Sequence, residues 1–156
     1  MQFQDVLATY QRPLARALVE AGADVIVGHH AHTLHGIEVI AGRPVFYSLG
    51  NFLFHVLRVD TQPALRRTDP LYNWRSLRSK TNLDSAVVLV SFEGGRPSAV
   101  ELVPVLINGA GDPELAEGSD AARILATLGD LSAPLGTRLA IDGARGRLAL
   151  PAAGVS

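Results

Sequence analysis

Asp24-Val-Ile-Val-Gly-His-His-Ala-His32 runs on through Thr33-Leu-His-Gly-Ile-Glu38 to Tyr47-Ser-Leu-Gly-Asn-Phe52, and the reading of this stretch decides the rest. Its first half is a short apolar, β-branched run that stops at Gly28 and releases His29, His30 and His32. A buried parallel strand reads this way where it ends at the lip of a site. Ligands of open α/β sheets sit beyond the carboxyl ends of strands, where these imidazoles are delivered.

If the chain stays extended past Gly28, side chains alternate, so His30 and His32 share a side and His29 points away. Two residues of strand separate their Cα atoms by about 6.5–7 Å. Imidazoles converging from that separation could hold one metal ion, or one each of a pair about 3.5–4 Å apart. Neutral imidazole suits zinc, iron, copper and nickel. The competing reading is a polar loop whose histidines cap the strand or face solvent. His-His-x-His directly after Val-Ile-Val-Gly favours the metal.

Gly28-His-His-Ala-His-Thr-Leu-His-Gly-Ile-Glu38, followed by Gly42-Arg-Pro-Val-Phe-Tyr-Ser-Leu-Gly-Asn-Phe-Leu-Phe54, resembles the signature of CapA-type poly-γ-glutamate capsule biosynthesis proteins, members of the calcineurin-like metallophosphoesterase superfamily. Tyr10–Asp24 is similar to the helix preceding that signature, Ser85–Glu93 and Val100–Pro104 resemble its strand pair, and Leu131–Thr137 resembles its late helix-to-strand turn. The likeness spans most of this chain but only the last part of the family's domain. It implies that His30 and His32 are metal ligands, with His29 as a supporting donor or proton shuttle. The implied cofactor is a divalent ion (zinc, manganese or iron), two of them in the complete domain. The implied partner is an anionic polymer or phosphoester substrate, and the implied setting is the bacterial cell envelope.

Two departures stand out. Ala31 occupies a position where the family often has proline. More important, the superfamily's other metal motifs, Asp-x-His, Gly-Asp and Gly-Asn-His, do not occur; Gly50-Asn51 is followed by Phe52. A two-metal site needs several ligands per ion and acidic bridges. Asp24 is at the wrong end of its strand, which leaves Glu38 as the nearby carboxylate able to face inward. The expectation is a partial site, completed by an upstream half of the domain.

The 156 residues suit one domain able to bury a core. A formal charge of −1 gives no electrostatic case for nucleic acid. With no cysteine there is neither a disulfide framework nor a thiolate metal site. No apolar run reaches the length of about 18 residues that a membrane-spanning helix needs. No signal peptide is legible at the start either.

Residues 8–21 read as a helix, with Leu14, Ala15, Leu18 and Val19 as its apolar stripe, Arg12, Arg16 and Glu20 opposite, and Gly22 as the stop. Helix, turn and buried strand form the second half of a βαβ unit, so the chain is expected to begin within a domain. Gly36–Ile40 and Arg43–Tyr47 read as two strands around Ala41-Gly42. Ser48–Asn51 reads as a tight turn, in which Asn51 either braces the site or meets an anionic group; the alternative is a plain structural turn. His35 lies near enough to support the motif, and His55 reads as a surface histidine.

Residues 56–82 carry six basic side chains against two acidic ones, a net +4, around Tyr72 and Trp74. They read as a clamp for an anionic substrate or as a solvated insertion. Ser85–Phe92 and Ser98–Ile107 form a hairpin around Gly94-Gly95, Ser119 caps a helix to about Leu128, and Thr137–Ile141 with Arg147–Leu150 closes the chain as a second hairpin.

The expected architecture is α/β: the C-terminal part of a metallophosphoesterase-like sandwich, a mixed sheet with helices packed on it. It forms one unit over 1–156, with core strands and histidine motif in 1–107 and helix and hairpin in 108–156. The expected function is that of a fragment of a CapA-like, metal-dependent phosphoesterase-type protein in poly-γ-glutamate capsule synthesis or export. In that reading His30 and His32 bind metal, His29 assists, and Asn51 and Glu38 face the substrate. Two other classes remain open: a non-catalytic module with a vestigial histidine motif, and an amidohydrolase-type metal hydrolase. Against the latter, the motif runs into strand-like Gly36–Ile40 rather than a helix.

Overall fold

The computed structural model describes residues 6–55 and 80–150. Within them the chain is mixed α/β, consistent with part of a metallophosphoesterase-like α/β fold.

Helix α1 (Gln11–Glu20) admits Pro13 in its first turn, where a missing N–H costs nothing. It ends as expected at Gly22, whose φ is 104°. The Gly22 amide donates to the Val19 carbonyl and the Ala23 amide to the Leu18 carbonyl, the paired bonds that close a helix through a left-handed residue. Its expected apolar stripe is only half right. Ala15 and Val19 are buried against Val45 and Tyr47, whereas Leu14 and Leu18 are 51% and 41% exposed. Arg12 and Arg16, expected on the solvent face, reach instead across to the buried Glu38 carboxylate.

Strand β1 (Ile26–Val27) pairs in parallel with β3 (Arg43–Phe46), and β3 pairs antiparallel with β2 (Ile37–Ile40), giving the order β1-β3-β2. The β2–β3 turn places Ala41 and Gly42 at φ 48° and 78°, the left-handed pair that matches strand twist in a two-residue hairpin. Val45 and Phe46 on the central strand are fully buried.

After the short helix α2 (Lys80–Leu83) comes a second sheet, built on the long hairpin of β4 (Asp84–Glu93) and β5 (Arg96–Ile107). Gly94 and Gly95 turn it with φ of 56° and 79°, as the sequence suggested. Strand β6 (Pro113–Leu115) joins β5, and β7 (Ala140–Asp142) and β8 (Arg145–Ala149) complete the order β4-β5-β8-β7.

Helix α3 (Gly118–Ser132) joins the two sheets. Its Ile124, Leu125 and Leu128 share one cluster with Ile37 and Phe46 of the first sheet and Leu102 and Leu148 of the second. Ser132 fixes the seam: its hydroxyl accepts the Ile37 amide at 2.9 Å and donates to the Leu128 carbonyl. Ser119 is not the cap of this helix. The Glu117 carbonyl already accepts the Asp120 and Ala121 amides, so helical bonding starts before the serine. Among the described residues no helix is long and apolar enough to cross a membrane.

Candidate functional site

Strand β1 stops where the sequence suggested. The Gly28 amide extends the parallel ladder to the Phe46 carbonyl at 2.6 Å, and a Cβ at Gly28 would stand 2.3 Å from the Tyr47 carbonyl oxygen. Only glycine passes so close to β3.

Beyond it the chain does not stay extended. His30 has φ 94° and His32 φ 61°, left-handed conformations that non-glycine residues adopt at a cost. Strand alternation therefore does not set the directions of His29, His30 and His32; two backbone reversals do. His29 and His30 are exposed, and His32 is half-buried.

The His32 ring is held on two sides. Its Nδ1 lies 2.7 Å from the Asn51 side-chain oxygen, and the Phe54 ring stands 5.7 Å away, tilted by 39°. Asn51 is itself anchored: its Nδ2 donates to the His32 carbonyl at 3.2 Å and to the Asn82 carbonyl at 2.9 Å. Gly50, with φ 80°, lets this turn lie against the start of β4, since a Cβ there would be 2.6 Å from the Asp84 carbonyl oxygen. The Leu49 carbonyl accepts the Ala86 amide and the Ser85 hydroxyl, stitching the turn to the second sheet. Asn51 and His32, singled out separately in the sequence, are thus brought together.

Glu38 lies elsewhere, in a cluster of its own. Arg12 donates to its two oxygens from Nε at 3.1 Å and Nη2 at 2.8 Å, Arg16 donates at 3.0 Å, and the Tyr47 hydroxyl at 2.7 Å. Burial pushes this carboxyl upward, but the hydrogen bonds from Arg12 and Tyr47 and the charges of both arginines outweigh it, so it titrates below the ordinary carboxylate range. Burial, then the neighbouring carboxylate, pushes the Tyr47 phenol well above its usual value. The sequence held a signal for this cluster: two arginines four apart on one helix, facing a carboxylate inside Ile-Glu-Val-Ile.

His35 is buried, with its amide donating to the Ser48 carbonyl at 3.0 Å. His55 is exposed and pairs with Asp112 at 2.7 Å. Asp84 is buried and bound by Arg123 of α3 through both carboxylate oxygens, a pair that sequence reasoning missed because nothing local links the two residues. Of the basic stretch 56–82, residues 56–79 lie outside the described residues.

Among the described residues, no three or more histidine, cysteine or carboxylate side chains gather as a metal-binding group. His30 and His32 are donors of the right chemistry, but a closed protein site takes about four ligands.

A family model described as bacterial capsule synthesis protein PGA_cap matches residues 2–56, the segment that carries α1, the histidine turn and Asn51. Over that matched part the chain is similar to this family, and the likeness is to its CapA-type members. It is 57% identical over 90 residues to the capsule biosynthesis protein CapA of Bacillus anthracis, covering 58% of this chain and 20% of that protein. It is 66% identical over 44 residues to the PGA biosynthesis protein CapA of Bacillus subtilis, covering 28% of this chain and 12% of that one. A longer match, 32% identity over 164 residues, is to the Sinorhizobium fredii protein y4sH and covers 86% of this chain. The chain spans 36% of the length of that relative.

Proposed function

We propose that this chain supplies the histidine portion of a metal-dependent, phosphoesterase-type site in a CapA-type protein that acts in poly-γ-glutamate capsule synthesis or export. The observation that carries the reading is the pair of left-handed histidines, His30 and His32, at the carboxyl end of a parallel strand inside the family-matched segment. Backbone strain of this kind persists where the surrounding structure enforces it, and it concentrates at functional sites. His30 and His32 are the ligands in this reading, and the exposed His29 stands by as a donor or proton carrier. A divalent ion there would supply Lewis-acid polarisation of an anionic substrate oxygen. The remaining ligands come from the part of a CapA-type protein that this chain does not span.

Titration calorimetry of the chain with zinc and with manganese tests this. Weak binding is expected, lost in His30→Ala and in His32→Ala and kept in His55→Ala. Tight binding of two ions to the chain alone would overturn the partial set of ligands, and binding indifferent to both substitutions would overturn the ligand assignment.

A further inference from the structure

We propose that Asn51 is a positioning residue that locks His32 in its Nδ1–H tautomer, so that Nε2 is the ring's electron-pair donor. A carboxamide has one accepting oxygen and one donating NH2 group, nearly identical in shape, and the surrounding partners tell them apart. Here the partners are unambiguous. The Asn51 Nδ2 faces two backbone carbonyls, those of His32 and Asn82, at 3.2 and 2.9 Å, and only an NH2 group can satisfy both. The atom opposite the His32 Nδ1, at 2.7 Å, is therefore the side-chain oxygen. That oxygen carries no proton, so the proton of the contact resides on Nδ1. In the neutral ring the lone pair then falls on Nε2.

This is the reverse of the tautomer that neutral histidine favours in water. The arrangement is built to hold. Asn51 is 7% exposed, so little water competes for its oxygen, and one of its anchors, Asn82, is fully buried. The Phe54 ring beside the imidazole limits rotation about the side chain. A hydrogen bond on one ring nitrogen that fixes the other as donor is the way proteins orient histidine ligands and bases. The functional meaning of this lock rests on the reading of His32 proposed above; the tautomer itself rests on the hydrogen bonds alone. It gives Asn51 the task of aiming His32, in place of contact with the substrate.

The test is long-range 15N–1H correlation spectroscopy of the ring nitrogens in the full, metal-free chain, in alkaline buffer where histidine side chains are neutral. The His32 signals are identified by their loss in His32→Gln. The expected pattern is a protonated Nδ1 and an unprotonated Nε2 in the unaltered chain, reverting to the Nε2–H pattern in Asn51→Ala. Asn51→Asp keeps an accepting oxygen without the amide donors, and it should retain the Nδ1–H pattern. An Nε2–H ring in the unaltered chain would overturn the lock. An unchanged Nδ1–H ring in Asn51→Ala, or its loss in Asn51→Asp should the alanine variant not fold, would overturn the role of Asn51. Adding zinc separates the two proposals. An intact Nδ1–H ring whose signals ignore zinc sinks the metal reading alone, and an Nε2–H ring that responds to zinc sinks the lock alone.

Discussion

Arg12 of α1 and Glu38 of β2, far apart in sequence, meet in a two-point contact, Nε to Oε2 at 3.1 Å and Nη2 to Oε1 at 2.8 Å. Arg16 and Tyr47 add their donors to the same carboxylate. The helix that leads into the histidine strand is therefore fastened to the sheet by charge as well as by Ala15 and Val19.

Removing the carboxylate should loosen that fastening. Glu38→Ala leaves a buried Tyr47 hydroxyl without its acceptor, and an unmet buried polar group costs about 1–3 kcal/mol. The arginines are half exposed, so solvent screening keeps the ion-pair contribution small. A total loss of about 2 kcal/mol is expected from urea unfolding. Arg12→Ala should lose less, because Arg16 and Tyr47 still hold Glu38.

The same cluster gives a pH dependence with a definite sign. Glu38 titrates lower in the folded chain than its ordinary value of about 4.3 in the unfolded one. Its contribution is therefore present above that ordinary value and is lost as pH falls through the folded value. Tyr47 titrates higher when folded, so its contribution is present below the ordinary phenol range and is lost as pH rises through its folded value. Urea midpoints of the unaltered chain and of Glu38→Gln should converge on acidification below about pH 4. A gap that widened there would contradict the sign.

Gly50 and Gly143 separate backbone strain from crowding. Both have positive φ, 80° and 59°, so alanine at either should cost about 1–2 kcal/mol. At Gly143 the new methyl meets open space, whereas at Gly50 it would stand 2.6 Å from the Asp84 carbonyl oxygen. Thermal unfolding should show the larger loss for Gly50→Ala, together with a disturbed His32 signal, because Asn51 follows directly. Equal losses would mean that the turn is not pressed against β4.

These elements also show what was readable in the sequence and what was not. The hairpin at Ala41-Gly42, the one at Gly94-Gly95 and the stop at Gly22 were legible because left-handed turns demand particular residues at particular places. The end of β1 at Gly28 was legible for the same reason. The face of α1 was misread, because periodicity ranks Leu14 above Arg12 as a core residue and does not register that Glu38 is buried across from the helix. The backbone at the histidines was not legible, because alternation presumes an extended chain, and the left-handed conformations of His30 and His32 carry no glycine to announce them. Asn51 was singled out, but the sequence did not choose between a brace, an anion contact and a plain turn, and its link to Asn82 joins residues 31 apart and has no local trace.

Phosphoester hydrolysis by a paired-metal site depends on ions held in fixed relation to the substrate. Misplacement by about 1 Å can cost roughly a hundredfold in rate. In the proposed reading His30 and His32 provide two donors, too few to fix one ion, and Glu38 is held by Arg12, Arg16 and Tyr47. With zinc or manganese, the chain should therefore hydrolyse p-nitrophenyl phosphate no faster than the metal in buffer. A longer CapA-type polypeptide carrying this stretch and the remaining ligands should be active, and His30→Ala or His32→Ala should abolish that activity while His29→Ala only reduces it. Turnover by this chain alone, lost on His30→Ala, would show that its own residues complete the site.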